Sequence, residues 1–436
     1  MKKHLVIGLG QTGLSILQFL QQHRYSAIGF DTRENLAPPV LPNDTPVYLG
    51  IIPETIWPDI SEVIVSPGVD LNHPVILKAK ALQLDIIGDI ELFYRKAKAP
   101  VIAITGTNAK STVTTLVTEM IQACGKTALM GGNIGIPALD LLNHPTPDYY
   151  VLELSSFQLD LVRDFKAYIG TVLNISPDHL DRHLTMDAYQ HAKERVYLHC
   201  TYPILNRHLA YLAGPKAAFS FGLSEPQEAN EWGILDHYIA LGHQKILLSA
   251  ALSPGLFGDH NLENALSALA IIAPLQLPLP PQLEVLKKFK GLPHRCVLVS
   301  KINGVSWYND SKGTNVGATL AAIKGIAAKT SGQLILLLGG VAKEQDFTPL
   351  RQAIQENVRT VIVYGQDRAA ILADLKDLPC IEMQAPLSIL LEKAQDLAQP
   401  GDAVLFSPAC ASFDMFQDYN DRGEQFTLWA SALNSN

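Results

Sequence analysis

The sequence predicts an α/β protein of three domains: a Rossmann-like N-terminal domain, a P-loop ATPase-like central domain and a Rossmann-like C-terminal domain. Three observations carry this prediction. The length of 436 residues corresponds, at about 150 residues per domain, to roughly three separate cores. Short apolar runs alternate with helical stretches along most of the chain, the pattern of parallel sheets covered by helices. The alternation restarts at Val101 and again near Arg295, which sets expected limits of 1–90, 91–293 and 294–436.

In the first segment HLVIGLG reads as a strand, LSILQFLQQH as a helix, and SAIGFD and EVIVSPG as further strands. After the stretch Asp89–Pro100 the pattern begins again with the strand VIAITG and a helix from Ser111 to about Ala123. YYVLELSS and TVLNISP are buried-strand runs that end in polar residues. From about Thr201 to Ala251 the chain turns strand-rich, and an antiparallel flap is expected there; the helix NLENALSALAII follows. In the third segment VLVSKI and VSWYND flank Asn303-Gly304, a hairpin signal because both residues tolerate positive φ. LILLLGG, TVIVYG, a short strand and AVLFSP then alternate with helices.

Composition narrows the function classes. Charged residues make up 17% and hydrophobic residues 47%, an ordinary globular balance that excludes disordered, collagen-like and coiled-coil readings. The formal charge of −8 argues against a chain-wide nucleic-acid or anionic-membrane surface. The 5 cysteines are scattered and never form C-x-x-C, as in small core residues of a reducing compartment. The apolar run near the N-terminus is short and broken by glycines, and no uninterrupted apolar stretch reaches the ~18 residues of a membrane span. A soluble cytoplasmic protein without nucleic-acid or membrane partners is expected.

Two loops suit phosphate. Gly8-Leu9-Gly10-Gln11-Thr12-Gly13 joins the first strand to the first helix, and Asp31 ends the second strand. Glycines there let the backbone approach a diphosphate whose charge the helix N-terminus stabilises. The second loop, Thr105-Gly106-Thr107-Asn108-Ala109-Lys110-Ser111-Thr112, also joins strand to helix. Lys110 followed by Ser111 is the arrangement that holds nucleotide phosphates and Mg²⁺. Ile104 and Ala109 stand where the full motif has glycines; if Ala109 is left-handed, it costs about 1 kcal/mol relative to glycine.

Other polar groups gather at strand ends, where ligands of open α/β sheets bind. Glu153 closes an apolar strand and is a natural oxygen ligand for Mg²⁺, or else a helix-capping acid. Ser176-Pro177-Asp178-His179-Leu180-Asp181-Arg182-His183 follows another strand and suggests a metal or phosphate cluster. Lys193 lies on the next helix, where lysine ordinarily faces solvent. The runs from Asn309 to Asn315, Gly339 to Lys343 and Ser407 to Ser412 occupy equivalent strand ends of the third segment.

Together these segments resemble the Mur ligase family, the cytoplasmic ATP-dependent amino-acid ligases of bacterial peptidoglycan synthesis. The matching stretches are GLGQTGLS, GDIELF, TGTNAKSTVTTL, GGNIGIPAL, VLELSSFQL, DHLDRH, GLPHRC, YNDSKGTNVGAT, LLLGG and SPACASFDMF, in the family's order over nearly the whole chain. The resemblance departs at Ala109, at Val341-Ala342 before Lys343, and at Tyr419, where Phe is usual.

The resemblance implies a monomeric enzyme that uses ATP and Mg²⁺ to join D-glutamate to UDP-N-acetylmuramoyl-L-alanine through an acyl phosphate, serving cell-wall synthesis, cell shape and division. It places Gln11 and Thr12 at the diphosphate, and Asp31, Thr32, Arg33, Ser66 and Gly68 around uracil and ribose. Gly106, Thr107, Asn108, Ala109, Lys110, Ser111 and Thr112 would hold ATP. Ser111, Glu153, His179 and a carbamylated Lys193 would hold Mg²⁺, while Asn133 and His179 would face substrate. Asn264, Arg295, Asp310 and Lys312 match further ATP contacts. Thr314, Lys343, Ser412 and Phe413 match the D-glutamate pocket. Lys110, Glu153, His179 and Lys193 are the catalytic set it implies.

Rival readings are an NAD-dependent oxidoreductase, resting on Gly8–Gly13 and Asp31, and a non-catalytic P-loop switch. A sister ligase for another amino acid, or a folylpolyglutamate synthase, stands nearer. The oxidoreductase leaves the loop around Lys110 and the third domain without a role.

Overall fold

A computed structural model describes residues 2–35, 45–209, 217–247, 256 and 258–433. The chain divides into two compact units: Met1–Ile175, Asp187–Ala251 and Glu263–Lys287 form one, and Ser176–Met186, Leu252–Leu262 and Lys288–Asn436 form the other.

The first unit contains two sheets. Strands β1 (Lys3–Ile7), β2 (Ala27–Asp31), β3 (Val47–Leu49), β4 (Ile60–Val65) and β5 (Asp85–Gly88) form an all-parallel sheet in the order β3-β2-β1-β4-β5. The order reverses between β1 and β4, so their carboxyl ends open a crevice of the kind that takes ligands. Leu5, Val6 and Ile7 have no exposed surface, as expected for a strand covered by helices on both faces.

The second sheet holds β6 (Val101–Thr105), β7 (Ala128–Gly132), β8 (Tyr149–Glu153), β9 (Ile169–Val172), β10 (Tyr202–Asn206), β11 (Phe219–Phe221), β12 (Glu231–Leu235), β13 (Tyr238–Leu241) and β14 (Gln244–Leu247). Its order is β14-β13-β12-β11-β10-β9-β6-β8-β7. β6 lies between β8 and β9, so the loop after β6 emerges among the carboxyl ends of three strands. The antiparallel flap expected over 201–251 is narrower than the sequence suggested. β10 pairs parallel to β9, and β11 pairs parallel to both β10 and β12; only β12-β13-β14 run antiparallel. The apolar-rich runs at 202–206 and 219–221 extend the parallel sheet, and only the tight turns after Leu235 and Leu241 reverse the chain. Residues 210–216 and 248–251 of that stretch lie outside the described residues.

The second unit is built on β15 (Val297–Ile302), β16 (Val305–Asn309), β17 (Leu334–Gly339), β18 (Val358–Tyr364), β19 (Cys380–Glu382) and β20 (Ala403–Phe406), in the order β15-β16-β20-β17-β18-β19. Only the β15–β16 pairing is antiparallel. Asn303 and Gly304 both have positive φ, 50° and 80°, the twist-matched two-residue hairpin that their identities predict. β17 and β20 are buried throughout.

Candidate active site

The glycine loop follows β1 and opens the helix Gln11–Gln22, whose Gly10 N-cap provides no side-chain cap. No N-cap side chain therefore covers the first turn, the end of a helix that favours an anion. Gly13 is obligatory, because a Cβ there would sit 1.8 Å from the Gly8 carbonyl oxygen. Ser66, at the end of β4, donates its hydroxyl to that same carbonyl at 2.7 Å. Gln11 and Gly68 are exposed, and Thr32 is half-buried.

Asp31 is buried, and both its oxygens are engaged. Oδ2 accepts from Leu9 N at 2.7 Å and Arg33 Nη2 at 2.9 Å; Oδ1 accepts from Arg33 Nε at 2.8 Å and Arg33 N at 3.0 Å. These donors outweigh the burial that opposes ionisation and hold its pKa down at about 2. The carboxylate thus fixes the glycine loop and Arg33.

The P-loop follows β6, and the helix Lys110–Ala123 begins at Lys110. Ala109 is the N-cap, with φ 66° and ψ −6°, the left-handed conformation that the missing glycine would have eased. Thr107 N donates to Asn174 O at 2.9 Å, and Asn108 N donates to Asn174 Oδ1 at 2.8 Å. Lys110 Nζ donates to the carbonyls of Gly106 and Thr107, each at 2.9 Å. Ser111 and Thr112 are buried at the start of the helix.

Lys193 does not face solvent. It is 2% exposed, donates from Nζ to Gly106 O at 2.8 Å, and lies 4.5 Å from the centroid of the Tyr189 ring. The Tyr189 hydroxyl is 3.1 Å from Thr107 Oγ1. Tyr189 and Lys193 are four residues apart on one helix and therefore share a face, a spacing the sequence contained but that attracted no reading.

Glu153 ends β8 and is 3% exposed. Oε1 accepts from Asn133 Nδ2 at 2.8 Å, whereas Oε2 is buried without a hydrogen-bond partner. The capping alternative fails, because Ser155 caps the short helix Ser156–Leu159 in a box with Gln158. A buried carboxylate oxygen with no partner is a costly feature that a divalent cation would relieve. Asn264 is half-buried on the helix Asp259–Ile272.

The remaining candidates lie in the second unit. His179 has φ 55°, and its N–H bonds Asp178 Oδ1 at 2.9 Å. Asp178 Oδ2 also accepts from Asn315 Nδ2 at 3.2 Å. His179 and Lys343 line one cavity of about 310 Å³ with Val316, Leu320 and Gln345. Asp310 is buried, accepting from Ser407 Oγ at 2.6 Å and Cys296 N at 3.1 Å. Burial pushes its pKa up to about 6, against the opposing pull of Ser407 and Arg295. Lys312 Nζ lies 3.5 Å from the centroid of the Tyr419 ring, so the tyrosine found in place of Phe still offers a ring face. Thr314 is half-buried, Ser412 is buried, and Phe413 is 72% exposed.

Arg422 has no exposed surface. It donates to Ser311 Oγ at 3.0 Å, Ser311 O at 2.8 Å and Cys410 O at 3.1 Å. It thereby braces the two loops that carry Lys312 and Ser412. A helical arginine in sequence reads as a solvated charge, so nothing there marked it.

Comparison with known proteins identifies the family. Residues 2–88 match the Mur ligase MurD-like N-terminal domain, 104–272 the Mur ligase middle domain, and 294–410 the Mur ligase glutamate ligase domain. The UDP-N-acetylmuramoylalanine–D-glutamate ligase of Legionella pneumophila (strain Paris) is 43% identical over 440 residues, covering 97% of this chain and 98% of its own. The chain belongs to the Mur ligase family. The ligase of the same name from Nitrosococcus oceani is 44% identical, with 97% of this chain and 95% of its own covered. Among solved structures, the Mur ligase fold recurs in UDP-N-acetylmuramate-alanine ligase MurC from Thermotoga maritima, with TM-score 0.62, 19% identity and 100% of both chains covered. It recurs again in MurF ligase from Thermotoga maritima in complex with ADP, with TM-score 0.61, 15% identity, and 100% of this chain and 95% of that one covered. Among the described residues, no helix of this Mur ligase is long and apolar enough to cross a membrane.

Proposed function

We propose that this chain is the ATP-dependent ligase that adds D-glutamate to UDP-N-acetylmuramoyl-L-alanine in peptidoglycan precursor synthesis. The observation that carries the reading is the coexistence, in one unit, of two separate glycine-containing strand–helix junctions of the kind suited to phosphate, at Gly8–Gly13 and at Gly106–Thr112. An enzyme that activates a nucleotide-linked substrate with ATP needs both; a dinucleotide oxidoreductase has no use for the second. Domain limits of 1–90, 91–293 and 294–436 accompany the proposal.

The chemistry follows from the carboxylate substrate. A carboxylate does not form an amide unaided, so its oxygen attacks the γ-phosphorus of ATP, giving an acyl phosphate and ADP. The amine of D-glutamate then attacks the acyl carbon, and phosphate departs. Lys110 is placed at the start of the P-loop helix to meet the transferring phosphoryl group, releasing the Gly106 and Thr107 carbonyls as it does so. Bound Mg²⁺ would neutralise charge on the phosphate oxygens. Glu153 suits it through its unpartnered Oε2, with the Ser111 hydroxyl as the second donor in the same unit. His179 and a carbamylated Lys193 are proposed as further ligands on the family likeness alone. Unmodified Lys193 acts as a cation that holds the Gly106 carbonyl.

In the glycine loop, Gln11, Thr12 and the helix N-terminus would receive the UDP diphosphate, with Asp31, Thr32, Arg33, Ser66 and Gly68 around uracil and ribose and Asn133 beside the sugar. Asn264, Arg295, Asp310 and Lys312 are proposed for ATP, and Thr314, Lys343, Ser412 and Phe413 for D-glutamate. Calorimetric titration tests the division of labour. The UDP-muramoyl-alanine substrate should bind and NAD should not; tight NAD binding with no binding of the UDP substrate would overturn the proposal.

A further inference from the structure

The stretch GDIELF contributes to the family resemblance but has no part in the chemistry described so far. Its acid, Asp89, is the first residue of the helix Asp89–Tyr94, directly after β5, and is 2% exposed. A buried carboxylate in an apolar surrounding is unfavourable unless its partners repay the lost hydration. Oδ2 accepts from Gln158 Nε2 at 2.9 Å, whereas among the described residues Oδ1 is buried with no partner in hydrogen-bond geometry. An acid in the first turn is favoured by the helix N-terminus, and the Asp89 and Ile90 N–H groups favour its ionised form, but neither accounts for its burial against Gln158.

The contact matters because of what Gln158 does next. Gln158 is also 2% exposed. Its amide has two ends, and the carboxylate of Asp89 can accept only from the nitrogen end. That choice turns Oε1 the other way, where it accepts from Ser155 N at 3.1 Å and Ser155 Oγ at 3.3 Å. Ser155 Oγ in turn accepts from Gln158 N at 3.2 Å. Were the amide reversed, its NH₂ would meet the Ser155 N–H, donor against donor, and the turn would lose its lock. Ser155 stands two residues after Glu153, whose unpartnered Oε2 projects from the end of β8.

We propose that Asp89 is a positioning residue for the Glu153 carboxylate, acting through the Gln158 amide and the Ser155 turn. It selects the amide orientation that fixes the chain immediately after β8, and so fixes the direction of the oxygen offered to the divalent cation. This inference rests on the reading of Glu153 as a metal-binding carboxylate. Outer groups that orient a ligating carboxylate characteristically change metal affinity by about 10–100-fold when removed.

The test is a double-mutant cycle of D89A, Q158A and D89A/Q158A, with D89N as the conservative variant and E153Q as the control. Two readouts are taken: the Mg²⁺ concentration for half-maximal ligation, and amide hydrogen exchange over residues 153–159. D89A and Q158A should each raise the Mg²⁺ requirement about tenfold and speed exchange in that segment. The double variant should be no worse than either single one, because both act on one path. D89N keeps the size of the side chain but can present either end of its amide to Gln158, so it no longer selects the orientation and should show the D89A effects in weaker form. It carries the test if D89A does not fold, and a D89N protein identical to the parent in both readouts would overturn the inference. Additive effects, or a Mg²⁺ requirement that D89A and Q158A leave unchanged while E153Q raises it, would overturn the inference. An unchanged requirement in E153Q would instead overturn the reading of Glu153 on which it rests.

Discussion

Replacing Ala109 with glycine should stabilise this protein, although the position lies in the loop proposed to hold ATP. Ala109 is held at φ 66° and ψ −6° as the N-cap of the helix Lys110–Ala123. A non-glycine residue in that region carries about 1–2 kcal/mol of steric cost. Glycine removes the cost but brings more conformational freedom to the unfolded chain, which offsets about 0.5–1 kcal/mol of the gain. From the middle of these ranges the net stabilisation of A109G is about 0.75 kcal/mol, or roughly 1.5–3 °C in the melting midpoint of a unit this size. A109V should move the other way, because a β-branched residue is strongly disfavoured at positive φ. Urea titrations at matched protein concentration check this; the midpoint should shift without a change in slope. An A109G protein that is no more stable than the parent, together with a tolerated A109V, would refute the left-handed geometry and the account of this loop built upon it.

Other outcomes follow from the site. Lys110→Ala should lower turnover by at least about a hundredfold while circular dichroism reports an intact fold; near-normal ligation would remove Lys110 from the phosphoryl step. Lys193→Ala should lose most activity, and short carboxylic acids added to the assay should partly restore it, specifically in this variant and not in Lys110→Ala. Full activity without added acid would leave Lys193 as no more than the buried clasp of Gly106. The Asp31 pKa, held at about 2 against 3.8 for an ordinary aspartate, contributes stability that is present above pH ~4 and lost as pH falls towards 2. Asp31→Asn should flatten that part of the stability–pH curve; an unchanged curve would show that the Arg33 and Leu9 contacts do not hold the carboxylate.

Much of this architecture was legible in the sequence because apolar runs and glycine punctuation report directly on parallel strands and strand–helix turns. The Asn303-Gly304 hairpin, the strand–helix loops at Gly8–Gly13 and Gly106–Thr112 and the polar strand ends all stand where local pattern placed them. β3 and β5, with 3 and 4 residues, were too short to show a periodicity. The parallel pairing of β10, β11 and β12 was hidden because pairing direction is a tertiary property that strand composition does not encode. For the site, backbone roles were readable and burial was not. Lys193 and Arg422 look in sequence like solvated helical cations, and only packing reveals that both are sealed against loop carbonyls. The same holds for Glu153, whose unpartnered oxygen is visible only once Asn133 and Ser155 have taken their places.

This Mur ligase couples ATP cleavage to amide formation between a UDP-linked carboxylate and D-glutamate. The most direct measurement is phosphate release from ATP in the presence of UDP-N-acetylmuramoyl-L-alanine across a panel of D- and L-amino acids. Release should require the UDP substrate and be supported by D-glutamate but not by L-glutamate or the other amino acids. Release driven equally by another amino acid, or no release with D-glutamate while the protein is folded and binds ATP, would contradict it.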